Sequence, residues 1–391
     1  MVSIFIFWIL LSLIIYCYIG YPLLLFFLSF IKKLIQGKHL SPANIELPDV
    51  TIVIAAYNEK GFVDQKIQNI LSLNYPQNKI KQIWVTDGST DGTPELLASY
   101  PSITVLHFAE RLGKAMAINH AMEHVETPIT VFSDANTLLT PNALIELVKP
   151  FQNHNVGCVA GEKQILIQQN SAASSTGEGI YWKYESFIKK LESETGSTLS
   201  AAGELYAIRT ALFKKIPADT ILDDFEVSTQ IALSGFTVKY ADKAIASEYG
   251  SLNFDEEQKR KIRIASGGFQ TLFTKTELLN PLIKPTLTFK YLSHKVLRWL
   301  VVPFAILLLP IINIIIVLSV DNKVYILTLL VSIIIYGMAF AGIVLKNFRI
   351  SNHIFFLPYY FISTQISEYK GLLRYITNRH NHKWEKAKRE T

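Results

Sequence analysis

An uncharged apolar run over residues 4–31 constrains this chain more than any other feature. A helix that spans a bilayer needs roughly 20 apolar residues to cross about 30 Å of hydrocarbon. The run is too long for a signal-peptide core, and it lacks a basic start and a small-residue cleavage site. It therefore predicts an uncleaved transmembrane helix within residues 1–33. Lysines follow the run and none precedes it, so we expect the amino terminus outside and the chain from residue 32 onward in the cytoplasm.

Two further runs near the other end of the chain are long enough to span a membrane. They cover about residues 297–318 and 324–345, and the short turn between them predicts a helical hairpin. Residues 285–299 mix aromatic and cationic side chains, which is typical of an amphipathic helix at the headgroup level. We therefore expect residues 285–345 to form an interfacial helix and two transmembrane helices.

A fourth apolar run, over residues 354–366, is short and contains Pro358. Basic residues flank it on both sides, so a crossing here would leave one basic flank outside the cell. We expect an interfacial or re-entrant segment, followed by a basic cytoplasmic tail, within residues 346–391.

The composition agrees with a membrane protein that carries one substantial soluble domain. Half of the 391 residues are hydrophobic, yet 18% are charged. The two cysteines, Cys17 and Cys158, allow no disulfide framework, which favours a reducing compartment. Many basic residues lie beside apolar runs, so the net charge of +6 indicates contact with anionic membrane lipids. No nucleic-acid motif is present, and we expect no nucleic-acid partner.

Residues 47–280 alternate strand-like and helix-like segments, which predicts an α/β fold with a mostly parallel sheet. The predicted strands cover residues 50–56, 82–87, 103–108, 129–133 and 156–162. Predicted helices separate them, at 60–73, at 112–124 and from Thr140-Pro141 to about residue 152. The pattern becomes less regular after residue 162, as expected if the second half builds the other wall of a cleft.

Three of the predicted strands end in polar residues. The first leads into Tyr57-Asn58-Glu59, the second ends at Asp87, and the fourth leads into Asp134-Ala135-Asn136. Ligands of open α/β sheets bind at the carboxyl edge of the strands. The pattern therefore predicts an enzyme site for a metal-bound nucleotide.

The loops after these strands have compositions that suit such a ligand. Asp87 begins a segment with two Asp-Gly pairs, which permits either close backbone approach to a ligand or a plain turn. Asp87 itself could accept a hydrogen bond from a base edge. The Gly113-Lys114 pair at a helix start suits phosphate, although it lacks the full P-loop spacing. Asp134 and Asn136 offer two oxygen ligands for Mg²⁺ or Mn²⁺, or else form an Asx turn.

Two charged segments further along could complete an active site. Asp223 and Asp224 lie among apolar residues, where one could serve as a general base while the other caps a helix. Arg260 and Arg263 are three residues apart and share a helix face, where they would meet phosphate or anionic lipid.

Taken in order, these elements resemble the membrane-bound glycosyltransferases of family 2, which include cellulose, chitin and hyaluronan synthases. The resemblance covers nearly the whole chain, including the leading span and the trailing hairpin. It implies a Rossmann-like GT-A fold in the cytoplasm, a nucleoside-diphosphate sugar donor and a divalent metal, Mg²⁺ or Mn²⁺. It also implies inverting transfer by direct attack of an acceptor hydroxyl.

The resemblance implies roles for particular residues. Ala55, Tyr57, Glu59 and Asp87 would hold the nucleoside, uridine being expected, and Lys114 would meet the nucleotide or its phosphates. Asp134 and Asn136 match the Asp-x-Asp metal motif. Arg263 matches the Arg of the Gln-x-x-Arg-Trp motif and would lie on the donor side. Gly203, Glu204 and Arg260 would lie on the acceptor side. Asp224, with Asp223 beside it, matches the general base.

Two departures from the family pattern bear on the product. Asn136 replaces the second Asp of Asp-x-Asp, and Arg260 with Ile264 replaces the Gln and the Trp of Gln-x-x-Arg-Trp. Loss of that Trp favours addition of one or a few sugars to a lipid-linked or membrane-proximal glycan at the inner or plasma membrane, in cell-surface polysaccharide synthesis. A processive polysaccharide synthase is the first alternative. A non-catalytic membrane scaffold that binds nucleotide is the second.

Overall fold

A computed structural model describes residues 1–36, 46–166, 173–347 and 353–377. Lys38 and the basic tail beyond residue 377 lie outside the described residues. The strands are β1 (Val50–Ala56), β2 (Ile80–Asp87), β3 (Thr104–Phe108), β4 (Ile129–Ser133), β5 (Leu138–Leu139), β6 (Val156–Leu166), β7 (Leu205–Arg209) and β8 (Thr237–Tyr249). The helices of the first half are α1 (Val2–Ile15), α2 (Tyr21–Gln36), α3 (Lys60–Leu71), α4 (Thr93–Ala98), α5 (Lys114–Met122) and α6 (Ala143–Val148). Those of the second half are α7 (Ala173–Glu194), α8 (Asp223–Leu233), α9 (Phe254–Thr274), α10 (Pro285–Tyr291), α11 (Val302–Val317), α12 (Lys323–Asn347) and α13 (His353–Ile376).

The soluble domain is built on one mixed sheet in the order β3-β2-β1-β4-β7-β6-β8-β5. The first four strands of this order are parallel, as the alternating pattern predicts. β7 then runs antiparallel between β4 and β6, which closes off the parallel half of the sheet. The carboxyl ends of β1, β2 and β4 therefore meet at one edge, as expected from the polar residues that follow them.

The core lies on both faces of this sheet because its central strands are apolar throughout. Every residue of β1 is buried. Side chains alternate across a strand, so Ile52 and Ile54 pack under α3 and α6, while Val53 and Ala55 join the opposite cluster with α5 and α8. This double burial fixes the register of β1, since a slip by one residue would exchange the two faces.

Three helices are long and apolar enough to span a membrane, and they coincide with the predicted spans. They cover Val2–Ile35, Pro285–Val317 and Lys323–Leu345. A π-helical turn at Tyr16–Gly20 joins α1 to α2, and a longer one at Leu292–Val301 joins α10 to α11. The predicted interfacial segment 285–299 is thus the first part of one continuous helix with the second span.

The sequence predicts that the cations of this segment face lipid headgroups. In the structure they face protein carboxylates instead. Arg298 and Lys295 pair with Glu185 of α7, and His294 bonds to both Glu185 and Glu192. Tyr21 from the first span donates a 2.7 Å hydrogen bond to the same Glu192. α7 is therefore the element to which the membrane helices attach.

The segment predicted at residues 354–366 is part of a longer helix, α13, that continues to Ile376. It packs against α9 of the soluble domain. Phe356 stacks on Phe254 with 5.5 Å between ring centroids, and Tyr360 donates to Glu257. The chain stays helical through Pro358, so the segment expected to be interfacial or re-entrant takes the form of a helix packed on α9.

Candidate active site

A cavity of about 1010 Å³ opens at the carboxyl edge of the sheet, between β1, β4, α5, α7, α8, α9 and α13. All of the predicted site residues line it except Ala55, which is buried in β1, and Asp87. Those on its wall are Tyr57, Glu59, Lys114, Asp134, Asn136, Gly203, Glu204, Asp223, Asp224, Arg260 and Arg263. Residues about 200 positions apart in the sequence therefore meet in one space.

One rim of the cavity is formed by the turns that follow β1 and β2, which hydrogen bonds join to each other. Asn58 adopts a left-handed backbone conformation, with φ 54°, and its side chain accepts a 2.8 Å hydrogen bond from Thr90 N. Asp91 accepts from the backbone of Lys60 and of Thr93, which joins the second turn to the start of α3. These bonds hold Tyr57 and Glu59 at the cavity mouth.

Asp87 positions a loop and does not face the cavity. Its two carboxylate oxygens accept hydrogen bonds from Leu112 N at 2.6 Å and Gly113 N at 2.8 Å. Gly88, with φ +66°, is needed here because a methyl group would lie 2.7 Å from Arg111 N. The predicted base-edge acceptor is thus bonded to the backbone of the Arg111–Lys114 segment.

The Arg111–Lys114 segment also places Arg111 at the cavity, a cation to which the sequence analysis assigned no role. The guanidinium of Arg111 lies 3.8 Å from the ring centroid of Tyr57. Its Nε and Nη2 atoms are buried and have no hydrogen-bond partner among the described residues. Arg111 therefore presents unsatisfied donors at the wall of the cavity, beside Tyr57. Its place beside Gly113-Lys114 at a helix start is a signal that could have identified it.

Lys114 connects the two acidic motifs. Its ammonium lies 2.8 Å from Asp134 Oδ1 and 3.6 Å from Asp223 Oδ2. Burial disfavours its charge, but Asp134 and Asp223 outweigh that effect and raise the pKa of Lys114. The lysine therefore stays protonated and holds the end of β4 close to the start of α8.

Asp224 has the electrostatic properties of a base. Burial, with the negative charges of Asp223 and Glu204, raises its pKa to about 6, although Lys114 opposes the shift. A methyl group at Gly203 would lie 3.4 Å from Asp224 Oδ2 and 3.5 Å from Lys114 Nζ. The glycine therefore leaves an open approach to the carboxylate, next to a fixed positive charge.

The oxygen set at the end of β4 fits a divalent metal that shares its ligands with a diphosphate. Asp134 and Asn136 both line the cavity. No group of three His, Cys, Asp or Glu side chains that could hold a metal occurs within residues 1–36, 46–166, 173–347 and 353–377. Mg²⁺ is ordinarily held by one or two carboxylates together with substrate phosphates, so a site of this kind needs no such group.

Lys66, a buried lysine that the sequence analysis did not identify, supports the Asp134-Ala135-Asn136 motif. Lys66 of α3 is fully buried, and its ammonium donates to Ser133 Oγ and to the carbonyl of Thr137, both at 2.8 Å. Burial lowers its pKa to about 7 against the attraction of Asp134. Its position on the apolar face of α3, next to Ile67, was the available signal.

The cavity wall that carries Glu204 and Arg260 contains a buried ionic cluster. Glu204 pairs with Lys163 and, at 3.4 Å, with Arg260, while Arg260 also pairs with Glu178. Against the effect of burial, Lys163 and Arg260 lower the pKa of Glu204. Arg260 therefore anchors Glu204 and Glu178 instead of presenting a free cation to phosphate or lipid.

Arg263 differs from Arg260 in having no ion pair among the described residues, although it lines the same cavity. Burial and the nearby Arg260 lower its pKa, and the carboxylates of Asp223 and Asp224 oppose that shift. A guanidinium in this position can accept an anionic ligand. The two arginines, one turn apart, thus have different environments.

Polar turns, a lysine between two acidic motifs and a carboxylate of raised pKa thus share one edge of a parallel sheet, which is where open α/β sheets bind their ligands. A family model described as "Glycosyltransferase like family 2" matches residues 48–267. The chain belongs to this family of glycosyltransferases.

The chain is similar in sequence to bacterial polysaccharide synthases. It is 25% identical over 237 residues to the poly-beta-1,6-N-acetyl-D-glucosamine synthase of Staphylococcus epidermidis, covering 58% of this chain and 56% of that protein. The synthase of the same name from Staphylococcus aureus strain MSSA476 is 27% identical over 239 residues, with the same coverage. The matched part thus spans about half the length of these relatives.

In structure the chain is similar to the mannosyltransferase PcManGT from Pyrobaculum calidifontis, solved in complex with GDP-Man and Mn²⁺. The TM-score is 0.69, with 96% of this chain and 99% of that chain covered. At 21% identity the likeness establishes the fold alone. Because it extends over nearly the whole chain, it includes the helices outside the soluble domain.

Proposed function

We propose that this chain is an inverting, metal-dependent transferase that moves a sugar from a UDP-sugar to a lipid-linked or membrane-proximal glycan in cell-surface polysaccharide synthesis. The observation that carries the proposal is the position of Lys114, which contacts Asp134 and Asp223 beside the raised-pKa carboxylate of Asp224. In this arrangement the diphosphate side and the acceptor side of a reaction would meet at one point.

In the proposed reaction Asp224 takes the proton of an acceptor hydroxyl as its oxygen bonds to the anomeric carbon. The bond from that carbon to the diphosphate breaks at the same time, and its electrons leave with the nucleoside diphosphate. Lys114, Arg111 and Arg263 would offset the negative charge of the leaving group. A divalent ion held by Asp134 and Asn136 would neutralise part of the same charge when it is bound.

The proposed location is the plasma or inner membrane, with the soluble domain in the cytoplasm. Three helices with spanning length and the lysines that follow the first of them support this orientation. Nucleotide sugars would then reach the cavity from the cytoplasm. The acceptor would reach it from the side where α7, α10 and α13 meet the membrane helices.

The test is a screen of radiolabelled UDP- and GDP-sugars with purified full-length protein, membrane lipid extract, and Mg²⁺ or Mn²⁺. UDP-N-acetylglucosamine is the first donor to test, because the Staphylococcus relatives are named as N-acetylglucosamine polymer synthases. We expect metal-dependent transfer or hydrolysis with a UDP-sugar. Nucleotide binding without metal dependence or turnover would instead support a non-catalytic scaffold.

A processive synthase is a second candidate, and the names of the Staphylococcus relatives favour it. The replacement of the motif Trp by Ile264 speaks against it. The length of the product from a single donor incubation separates the two. Long polymer would support processive synthesis, and one or a few added sugars would support the proposed transferase.

A further inference from the structure

The helix that leads into the second candidate span brings an aromatic side chain to the cavity, and this side chain does not belong to any of the motifs. Trp299 lies on the helix that continues into the second span, 32 residues beyond the end of the family match at residue 267, and it lines the cavity wall. A tryptophan at the end of a membrane helix is most often an anchor in the headgroup layer. The contacts of Trp299 are instead with the soluble domain.

Trp299 packs toward the soluble domain. Its six-membered ring lies against Gly268 of α9, where a methyl group would be only 2.9 Å from the ring. It also meets Phe225 of α8 edge-on, with 6.1 Å between ring centroids. Phe225 directly follows Asp224 in α8, so Trp299 packs against the residue next to the proposed base. Gly268 lies one helical turn after Ile264, the position at which this chain lacks the motif Trp.

The other tryptophan of the cavity, Trp182, is already engaged. The charged groups of Lys163, Lys189 and Arg260 lie 4.6, 5.7 and 5.8 Å from its ring centroid. Within the described part of the chain, Trp299 has a single such neighbour, Lys295 at 5.6 Å, and that lysine is held by Glu185. Trp299 is therefore the more available ring for a ligand.

Lys189 adds a polar group to this part of the cavity. Its side chain is largely buried and lines the cavity, and its ammonium, 5.7 Å from the ring centroid of Trp182, forms no hydrogen bond or ion pair among the described residues. Its N–H donors are therefore available to a polar ligand. An aromatic ring and an ammonium donor on the wall of one cavity suit a sugar, which has an apolar C–H face and hydroxyls at its edge.

We propose that Trp299 and Lys189 form the subsite for the acceptor sugar, with Trp299 supplying the aromatic platform that position 264 lacks. The inference rests on the proposed transferase function. It places the acceptor where the second span joins the soluble domain, so that the hydroxyl to be activated lies beside Asp224. The acceptor class is a glycan presented at the membrane surface.

The test compares two substitutions that both fill the space next to Gly268. Trp299→Phe keeps a flat aromatic ring, whereas Trp299→Leu keeps apolar bulk without one. Purified full-length variants are assayed with the UDP-sugar used by the wild-type protein and with short β-linked N-acetylglucosamine oligosaccharides as acceptor probes. Transfer and donor hydrolysis without acceptor are measured separately.

We expect Trp299→Leu to raise the acceptor KM by about tenfold, the size of one stacking contact, while Trp299→Phe stays near wild type. Donor hydrolysis should remain unchanged in both variants, which also shows that they are folded. An unchanged acceptor KM in Trp299→Leu would overturn the inference. So would a parallel loss of hydrolysis, because the ring would then act through the base. Donor turnover by the wild-type protein reports separately on the proposed function.

Discussion

At the scale of single residues, the pair Asp223-Asp224 illustrates how two adjacent acids acquire different tasks. Asp223 lies near Lys114, 3.6 Å from its ammonium, and so takes part in an ion pair. Asp224 is half-buried beside this charge, and its pKa rises to about 6. A carboxylate with a pKa close to neutrality combines a large deprotonated fraction with useful basicity.

We predict that transfer by the wild-type enzyme rises with pH through about 6 and levels off above it. The base must be deprotonated to act, so activity is lost as pH falls through the raised pKa of Asp224. Asp224→Asn should reduce kcat by a factor on the order of 10² to 10⁴. The measurement is kcat/KM against pH with saturating metal, and unchanged turnover in Asp224→Asn would refute the assignment.

The matched variant is Asp223→Asn. Removing this negative charge takes away one cause of the raised pKa, so the acidic limb of the pH profile should move to lower pH. If the acidic limb of the pH profile stays at the same pH, a group other than Asp224 titrates in that range.

Lys66 provides a prediction about support for the metal motif. Lys66→Met removes the donors that hold Ser133 and Thr137 on either side of Asp134-Ala135-Asn136. Loss of such an outer contact typically weakens metal affinity by about 10- to 100-fold. We expect the Mn²⁺ concentration for half-maximal activity to rise by about tenfold or more. Lys81→Met, at an exposed ion pair with Glu126, is the control and should leave it unchanged.

At the scale of elements, α7 and α13 build the wall of the cavity that the sheet does not supply. α7 contributes Trp182, Glu185 and Lys189, and α13 contributes Thr364 and Glu368. Burial raises the pKa of Glu368 to about 8, although Arg298 and Lys261 oppose the shift. Both helices also contact the candidate membrane helices, so the shape of this part of the cavity depends on how they pack.

The close packing of α13 on α9 can be tested at Gly371. A methyl group there would lie 2.9 Å from Ser266 N, a backbone atom that cannot move freely. Gly371→Ala should therefore cost about 1–3 kcal/mol of stability and lower the thermal unfolding midpoint in detergent. Gly61→Ala in α3 is the control, because a methyl group there meets no atom within 4 Å. An equal midpoint for Gly371→Ala and wild type would show that the two helices are not in tight contact.

At the scale of the whole molecule, the membrane helices and the soluble domain form connected parts. Glu192 of α7 receives hydrogen bonds from Tyr21 in the first span and from Thr198 near β7, and it pairs with His294 in the helix of the second span. The cavity is therefore held in a fixed position relative to the candidate membrane helices. The proposed transfer to a lipid-linked or membrane-proximal acceptor would require such an arrangement.

The proposed orientation predicts which residues are reachable from outside the cell. Both native cysteines, Cys17 and Cys158, are buried, so new cysteines can be labelled against a low background. A membrane-impermeant maleimide should label Asp321→Cys, in the hairpin turn, in intact cells. It should label Lys81→Cys, on the soluble domain, only after permeabilisation. The reverse pattern would contradict a cytoplasmic active site.

The sequence by itself determined the features that depend on local patterns. Continuous apolar runs define β1 and β4, which are buried on both faces, and the three helices that could span a membrane. The carboxyl ends of parallel strands share an edge, so the nearness of Tyr57 and Asp134 followed from strand order. The ordered motifs were enough to identify the family, which the match over residues 48–267 confirms.

Only the tertiary structure decided which partner each charged or aromatic side chain meets. Asp87 turns to the backbone of Leu112 and Gly113, and Arg260 is held by Glu178, 82 positions earlier in the chain. Trp299, outside the family's motifs, reaches the cavity because Gly268 leaves room for it. Ion pairs and ring contacts form between segments far apart in sequence, and periodicity carries no information about those distances. The packing of helices around the sheet sets them.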